Sequence, residues 1–149
     1  MSEFLIDTNI LVYGHDPRDL EKQERSQIVL DRLIRAGSAV LSVQCLNEFY
    51  RAVRWRIPEP FTASEALAEV GRFARNCRVL SLTSTAALEG MRAGEQYSMS
   101  FWDSLIWAVA KEGGIPYLMT EDFDDGAAVE GVRFVNPFKV SFDIESLLS

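Results

Sequence analysis

The sequence predicts one α/β domain, residues 1–149, built on a mainly parallel sheet. Three observations lead there. Short apolar runs such as Phe4-Leu5-Ile6, Ala39-Val40-Leu41-Ser42-Val43 and Tyr117-Leu118-Met119-Thr120 alternate with stretches of helical periodicity, the pattern of strands joined by crossover helices. A length of 149 residues suits a single domain with a sizeable core. Hydrophobic content of 48% against 25% charged residues is that of a globular chain and excludes extensive disorder.

Taken in order, a strand at about 3–7 precedes a short helical piece, Asn9 to Tyr13, and a helix from about Pro17 to Ala36. In that helix Ile28, Leu30, Leu33 and Ile34 supply the apolar positions and Gly37 the stop. A second strand covers about 39–43. The next helix carries Leu46, Phe49, Tyr50, Val53 and Ile57 on one stripe and ends before Pro58 and Pro60. Thr62-Ala63-Ser64-Glu65 is a capping start for a helix to about Asn76. Val79 to Leu82 forms a third strand, followed by helices at about 83–97 and 102–112, the latter stopped by Gly113-Gly114. Tyr117 to Thr120 is the fourth strand, and Val132 to Val135 an edge strand closed by Pro137. The expected sheet has four to five strands.

Met1-Ser2-Glu3 leads straight into the first strand, without the basic start and apolar stretch of a signal peptide, and no segment reaches membrane-spanning length. Cys45 and Cys77 lack a CxxC or metal-type spacing, so core thiols in a cytoplasmic protein are expected. A formal charge of −7 argues against gripping nucleic acid over the whole surface. It leaves a nuclease open, because bound metal would neutralise several acids and the bases are clustered. Arg18, Lys22, Arg25, Arg32 and Arg35 crowd one helix, which reads as a solvated face, while Arg51, Arg54 and Arg56 crowd another.

Four acids fall where a parallel fold would bring them to one sheet edge. Asp7 and Asp122 follow the first and fourth strands; Glu48 and Asp103 sit early in helices. Ligands of open α/β sheets bind at that carboxyl edge. Each acid has a plainer role available: Asp7 as a helix cap, Asp103 in a capping box with Ser100, and Asp122 in a turn. Glu48 could pair with Arg51 on the surface. Its helix face also carries Gln44, Arg51 and Trp55, and so large an aromatic there implies a covering element, chain or ligand.

Together, Ile6-Asp7-Thr8-Asn9, Asn47-Glu48-Phe49, Phe101-Trp102-Asp103 and Thr120-Glu121-Asp122 resemble the four acidic motifs of PIN-domain ribonucleases. Their order and spacing resemble the toxin half of VapBC-type toxin–antitoxin pairs, over nearly the whole chain through Gly131 to Phe138. The resemblance implies a three-layer α/β/α sandwich, a homodimer, and inhibition by a small antitoxin. It puts Asp7, Glu48 and Asp103 on the three central acids and Asp122 on the fourth, with Asp124 and Glu121 as alternatives, because Glu121 departs from the usual Thr-Asn-Asp. Thr8 would orient the first acid and Thr120 the last.

The chemistry follows from charge. Two carboxylates about 5 Å apart repel by roughly 3 kcal/mol at an effective dielectric of about 20, a conflict that a divalent cation removes. All-oxygen ligands select Mg²⁺ or Mn²⁺ over zinc. His15, the one histidine, has no partner nearby in sequence and reads as a loop residue. Metal-activated attack on an RNA phosphodiester is then the simplest reaction, with Arg51 or Arg54 on the backbone and Trp55 on a base or a protein. Two alternatives are a PIN-fold interaction module without turnover and a phosphoacceptor receiver domain. The receiver would need paired acids after the first strand and a lysine ending a late one, whereas Thr8 and Asn9 follow Asp7, and Glu121 follows Thr120. Asn9 likewise excludes an Asp-x-Asp phosphatase.

Overall fold

A parallel strand covered on both faces needs apolar residues at every position, and β1 (Phe4–Ile6) has them: Phe4, Leu5 and Ile6 are fully buried. The computed structural model describes residues 1–149. It places β1 inside a six-stranded sheet of order β3 (Arg78–Leu80), β2 (Ala39–Ser42), β1, β4 (Tyr117–Met119), β6 (Val132–Val135) and β5 (Ala128–Val129). All pairings are parallel except β5 with β6. Leu5 stands opposite Val40 on one side and Leu118 on the other.

The period-2 alternation of strands sorts these residues into two cores. Phe4, Ile6, Leu41 and Met119 face a cluster filled by Leu11 of α1 (Thr8–Tyr13), Leu33 of α2 (Leu20–Arg35), Phe49 of α3 (Val43–Trp55) and Phe73 of α4 (Ala63–Asn76). Leu148 of the short α7 (Ile144–Leu148) joins the same side. Leu5, Val40 and Leu118 face the other way, onto Ala86 and Ala93 of α5 (Ser84–Tyr97) and Trp107 and Ala108 of α6 (Phe101–Glu112). The result is a three-layer α/β/α sandwich. From β1 the chain steps outward through β2 to β3, then returns to β4 on β1's other side. The strand order therefore reverses at β1, and the crevice at its carboxyl end is where such folds hold ligands.

Capping explains the boundaries. The strand expected to reach Val43 stops at Ser42, whose hydroxyl accepts from the Cys45 amide at 3.1 Å, so β2 runs into α3 without a loop. The helix expected from Pro17 begins at Leu20, because Asp19 caps it through the Lys22 amide while Arg18 folds back onto the buried Asp16. The third strand lies at 78–80 and gives way to Thr83, which caps α5. The capping box of Thr62 and Glu65 is present as expected. Two elements were not anticipated. β5 is only two residues long and turns into β6 through Glu130 and Gly131, at φ values of 48° and 90°. α7 spans five residues behind an Asp143 cap.

Helices α5 and α6 approach closely because α5 has glycines at the crossing. A Cβ on Gly90 would lie 2.9 Å from the Ser104 carbonyl oxygen and 3.3 Å from the Ala108 Cβ. Alanine normally stabilises a helix interior over glycine by about 0.5–1 kcal/mol, but here the backbone obstructs it. Gly90→Ala should lower the melting temperature by roughly 2–6 °C. Gly71→Ala in α4, where the new Cβ meets only the movable Arg75 guanidinium, should raise it by about 1–3 °C. Thermal unfolding of both variants checks the contrast; a rise in both would mean that Gly90 is not a packing requirement.

Candidate active site

Three carboxylates converge at the carboxyl end of β1. Asp7 directly follows β1, Asp122 lies just past the adjacent β4, and Asp103 reaches in from the first turn of α6 in the other layer. Each offers an oxygen within 4.8 Å of the others. They line a cavity of about 200 Å³ that also takes in Gln44 and Glu48 from α3. All four sequence-identified acids thus face one cavity, but Glu48 stands outside the tight group of three. It is exposed, and accepts from the Thr8 hydroxyl at 3.0 Å and the Gln44 amide at 3.2 Å, with no ion pair to Arg51.

Hydrogen bonds orient the acids: Thr120 serves the last acid as expected and the first as well, while the Thr8 hydroxyl, expected on Asp7, goes to Glu48. Thr120, buried at the end of β4, donates its hydroxyl to Asp7 Oδ2 at 2.9 Å and accepts the Asp122 amide at 3.1 Å. Thr8 serves Glu48. The Asp7 amide donates to the Met119 carbonyl at 2.9 Å, extending the β1–β4 ladder by one bond. The backbone of Asp7 begins α1, yet its side chain makes no capping bond. Ser100 caps α6 by accepting from the Asp103 amide at 3.3 Å, and the Asp103 carboxylate does not return a bond to Ser100. Both carboxylates are left facing the cavity.

The electrostatics are those of an uncompensated cluster. No arginine or lysine forms an ion pair with Asp7, Glu48, Asp103 or Asp122. Burial, with further repulsion from Asp122 and Asp103, pushes the Asp7 carboxyl up to about 7 despite the Thr120 hydrogen bond. Burial and the charge of Asp103 raise Asp122 as well, opposed by a hydrogen bond with Asp7. Cys45, packed below with its thiol against the Ile6 carbonyl, is kept neutral by burial. Crowded carboxylates without a cationic partner suit a hard divalent cation held by oxygen.

Among the alternatives for the fourth acid, Glu121 points away: its carboxylate accepts from the Tyr13 hydroxyl and from Lys22 Nζ at 2.8 Å. Asp124 lies outside the group of three. The basic and aromatic residues of α3 do not line the cavity. Arg51 is exposed, while Arg54 donates to the Phe61 carbonyl at 3.1 Å and stacks over Trp55 at 5.0 Å. His15 is no free loop residue. It is half-buried against Phe49 and bonds the Leu11 carbonyl at 2.8 Å and Glu69 at 3.2 Å, which fastens the end of α1 to α4. Sequence reasoning passed over Trp102, an exposed indole lining the cavity beside Asp103. An aromatic next to the acid and four residues before Ile106 was the available signal.

A model of the PIN domain family matches residues 4–129. No curated protein matches the sequence. Among solved structures, the chain is similar to a toxin–antitoxin complex from Klebsiella pneumoniae, with a TM-score of 0.68 at 17% identity over 93% of this chain and 100% of that one. It is similar also to DNA-bound VapBC from Salmonella typhimurium, with a TM-score of 0.64 at 18% identity over 92% and 99%. A third is VapC20 from Mycobacterium tuberculosis, a sarcin-ricin loop cleaving toxin, with a TM-score of 0.59 at 17% identity over 78% and 87%. At such identities the structures speak to the fold, while the family model spans most of the sequence. The chain belongs to the PIN domain family.

Proposed function

We propose that this protein is an endoribonuclease dependent on Mg²⁺ or Mn²⁺, and the toxin of a toxin–antitoxin pair. The observation that carries the proposal is the trio Asp7, Asp103 and Asp122, with oxygens within 4.8 Å and no cationic side chain paired to them. These three would hold the cation, with Glu48 completing the set from α3. When bound, a divalent cation neutralises the carboxylates, polarises the phosphodiester and activates water for attack. Thr120 keeps Asp7 and Asp122 aimed at the cavity, and Thr8 with Gln44 does the same for Glu48. Arg51 and Arg54, further along α3, would meet the RNA backbone only outside the cavity.

A toxin–antitoxin complex and DNA-bound VapBC share this fold, which supports an antitoxin partner here; the homodimer rests on the family resemblance alone. No helix is long and apolar enough to cross a membrane. A PIN fold serving only protein contacts is the second reading, and the acid cluster speaks against it: such a module gains nothing from crowding three carboxylates.

Single-stranded RNA should be cut with Mg²⁺ or Mn²⁺ and left intact in excess chelator. Asp103→Asn separates a metal site from helix-dipole service. In chelator the variant should melt no lower than the parent, because lost repulsion offsets a dipole contribution of roughly 0.3–1 kcal/mol. It should gain less from Mg²⁺ and cut RNA slower by about two orders of magnitude or more. A variant that melts lower in chelator, keeps the full Mg²⁺ shift and still cuts would remove Asp103 from the site.

Proton and cation compete at Asp7. With a folded-state pKa of about 7 against an ordinary 3.8, the folded metal-free protein keeps a proton that the unfolded chain releases. Stability from this group is present in full below the unfolded value and is lost as pH rises toward 7. In chelator, urea unfolding from pH 4 to 8 should show Asp7→Asn gaining on the parent across that window, and Mg²⁺ binding to the parent should weaken as pH falls below about 7. A constant parent–variant difference across the window would contradict the raised pKa.

A further inference from the structure

We infer that Trp102 is the platform on which an unpaired RNA base stacks beside the scissile phosphate, a step that rests on the nuclease reading above. Trp102 is 63% exposed although it is among the largest apolar side chains of the chain. It lines the carboxylate cavity next to Asp103, and Ile106, one turn on, lines the same cavity. Phe101 packs edge-on against it, with ring centroids 5.0 Å apart at 71°, which limits the orientations of the indole. Its ring nitrogen bonds no other protein group, unlike that of the buried Trp107, which donates to the Val129 carbonyl at 3.1 Å.

Charge identifies the occupant. No lysine or arginine lines the cavity, and the chain carries a formal charge of −7, so a phosphate inside the cavity meets no cationic side chain. Whatever binds RNA there beyond the metal must act without net charge. The Trp102 indole meets that condition, and its partner is a nucleobase, because every base offers a π-face that stacks on an aromatic whatever the sequence. The base must be unpaired, since a base within a duplex cannot be splayed onto a side chain. Trp55, the stacking residue expected from sequence, lies away from the cavity against Arg54 and Tyr50.

The test compares the parent, Trp102→Ala and Trp102→Phe on a single-stranded oligoribonucleotide, and on the same oligonucleotide with an abasic residue placed in turn at each position around the cut, all with Mg²⁺. In the parent, KM should rise on the order of tenfold at one abasic position. Trp102→Ala should show a similar rise on the intact RNA and no further rise at that position, whereas Trp102→Phe should keep most of the parent's sensitivity. The salt dependence of binding should be the same in all three, because a stacking contact releases no counterions. The proposal is overturned if Trp102→Ala cuts with the parent's KM and abasic profile, or if its one effect is on oligomeric state in sedimentation, which would mark a protein contact. A parent that neither binds nor cuts RNA overturns the nuclease reading and the platform together; a cutting parent with an indifferent Trp102→Ala overturns the platform alone.

Discussion

Asp7 is fastened from several directions. Its amide bonds the Met119 carbonyl, the Thr120 hydroxyl bonds its carboxylate, and the fully buried β1 ends one residue before it. A carboxylate on a mobile loop would swing away from Asp103 and Asp122; here the ladder bond between central strands fixes the backbone, and the Thr120 hydroxyl holds the carboxylate on it. The sheet thereby buries Asp7 and holds like charges beside it, and burial first, with that repulsion added, leaves Asp7 with a retained proton. Thr120 is central because one hydroxyl serves two acids, donating to Asp7 and accepting from the backbone of Asp122. A hydroxyl can do both at once.

The surroundings repeat that logic with different chemistry. Glu121, the immediate neighbour of Asp122, is withdrawn by Tyr13 and Lys22, with the ammonium also 4.7 Å from the Tyr13 ring centroid. One acid is thus removed from the crowd while the turn that carries Asp122 is tied to α1 and α2. On the far side, the close approach of α5 and α6 at Gly90 fixes the helix that delivers Asp103. Acids from both layers reach one cavity because both layers pack on the same central strands.

Much of this was legible in the sequence. The apolar runs at 4–6, 39–42 and 117–119 marked the buried strands, and strand-end and helix-start positions located the four acids, because chain direction in a parallel sheet puts those positions on one edge. What stayed hidden depended on contacts between distant residues. The partners of Thr8 and Thr120 are 40 and 113 positions away, and no local pattern announces such a bond. Periodicity correctly put Gln44, Glu48, Arg51 and Trp55 on one helical face, but that face outruns the cavity, so Arg51 and Trp55 extend past it. β5 and α7 are too short to leave a periodic signal, and His15 acquired its role only when α4 folded over it.

The direct passage from β2 into α3 makes the position of Glu48 a matter of counting. Ser42 is both the last residue of the strand and the cap of the helix, so no slack separates the sheet from the residue that faces the cavity six positions later. One residue inserted between Ser42 and Val43 would turn Glu48 by about 100° around the helix axis and carry it about 1.5 Å along it, out of reach of Thr8. Length changes that surface loops absorb elsewhere in this chain, such as around the exposed Val140, have nowhere to go at this junction. Residue number at this junction is therefore as tightly constrained as the identities of Ser42 and Glu48.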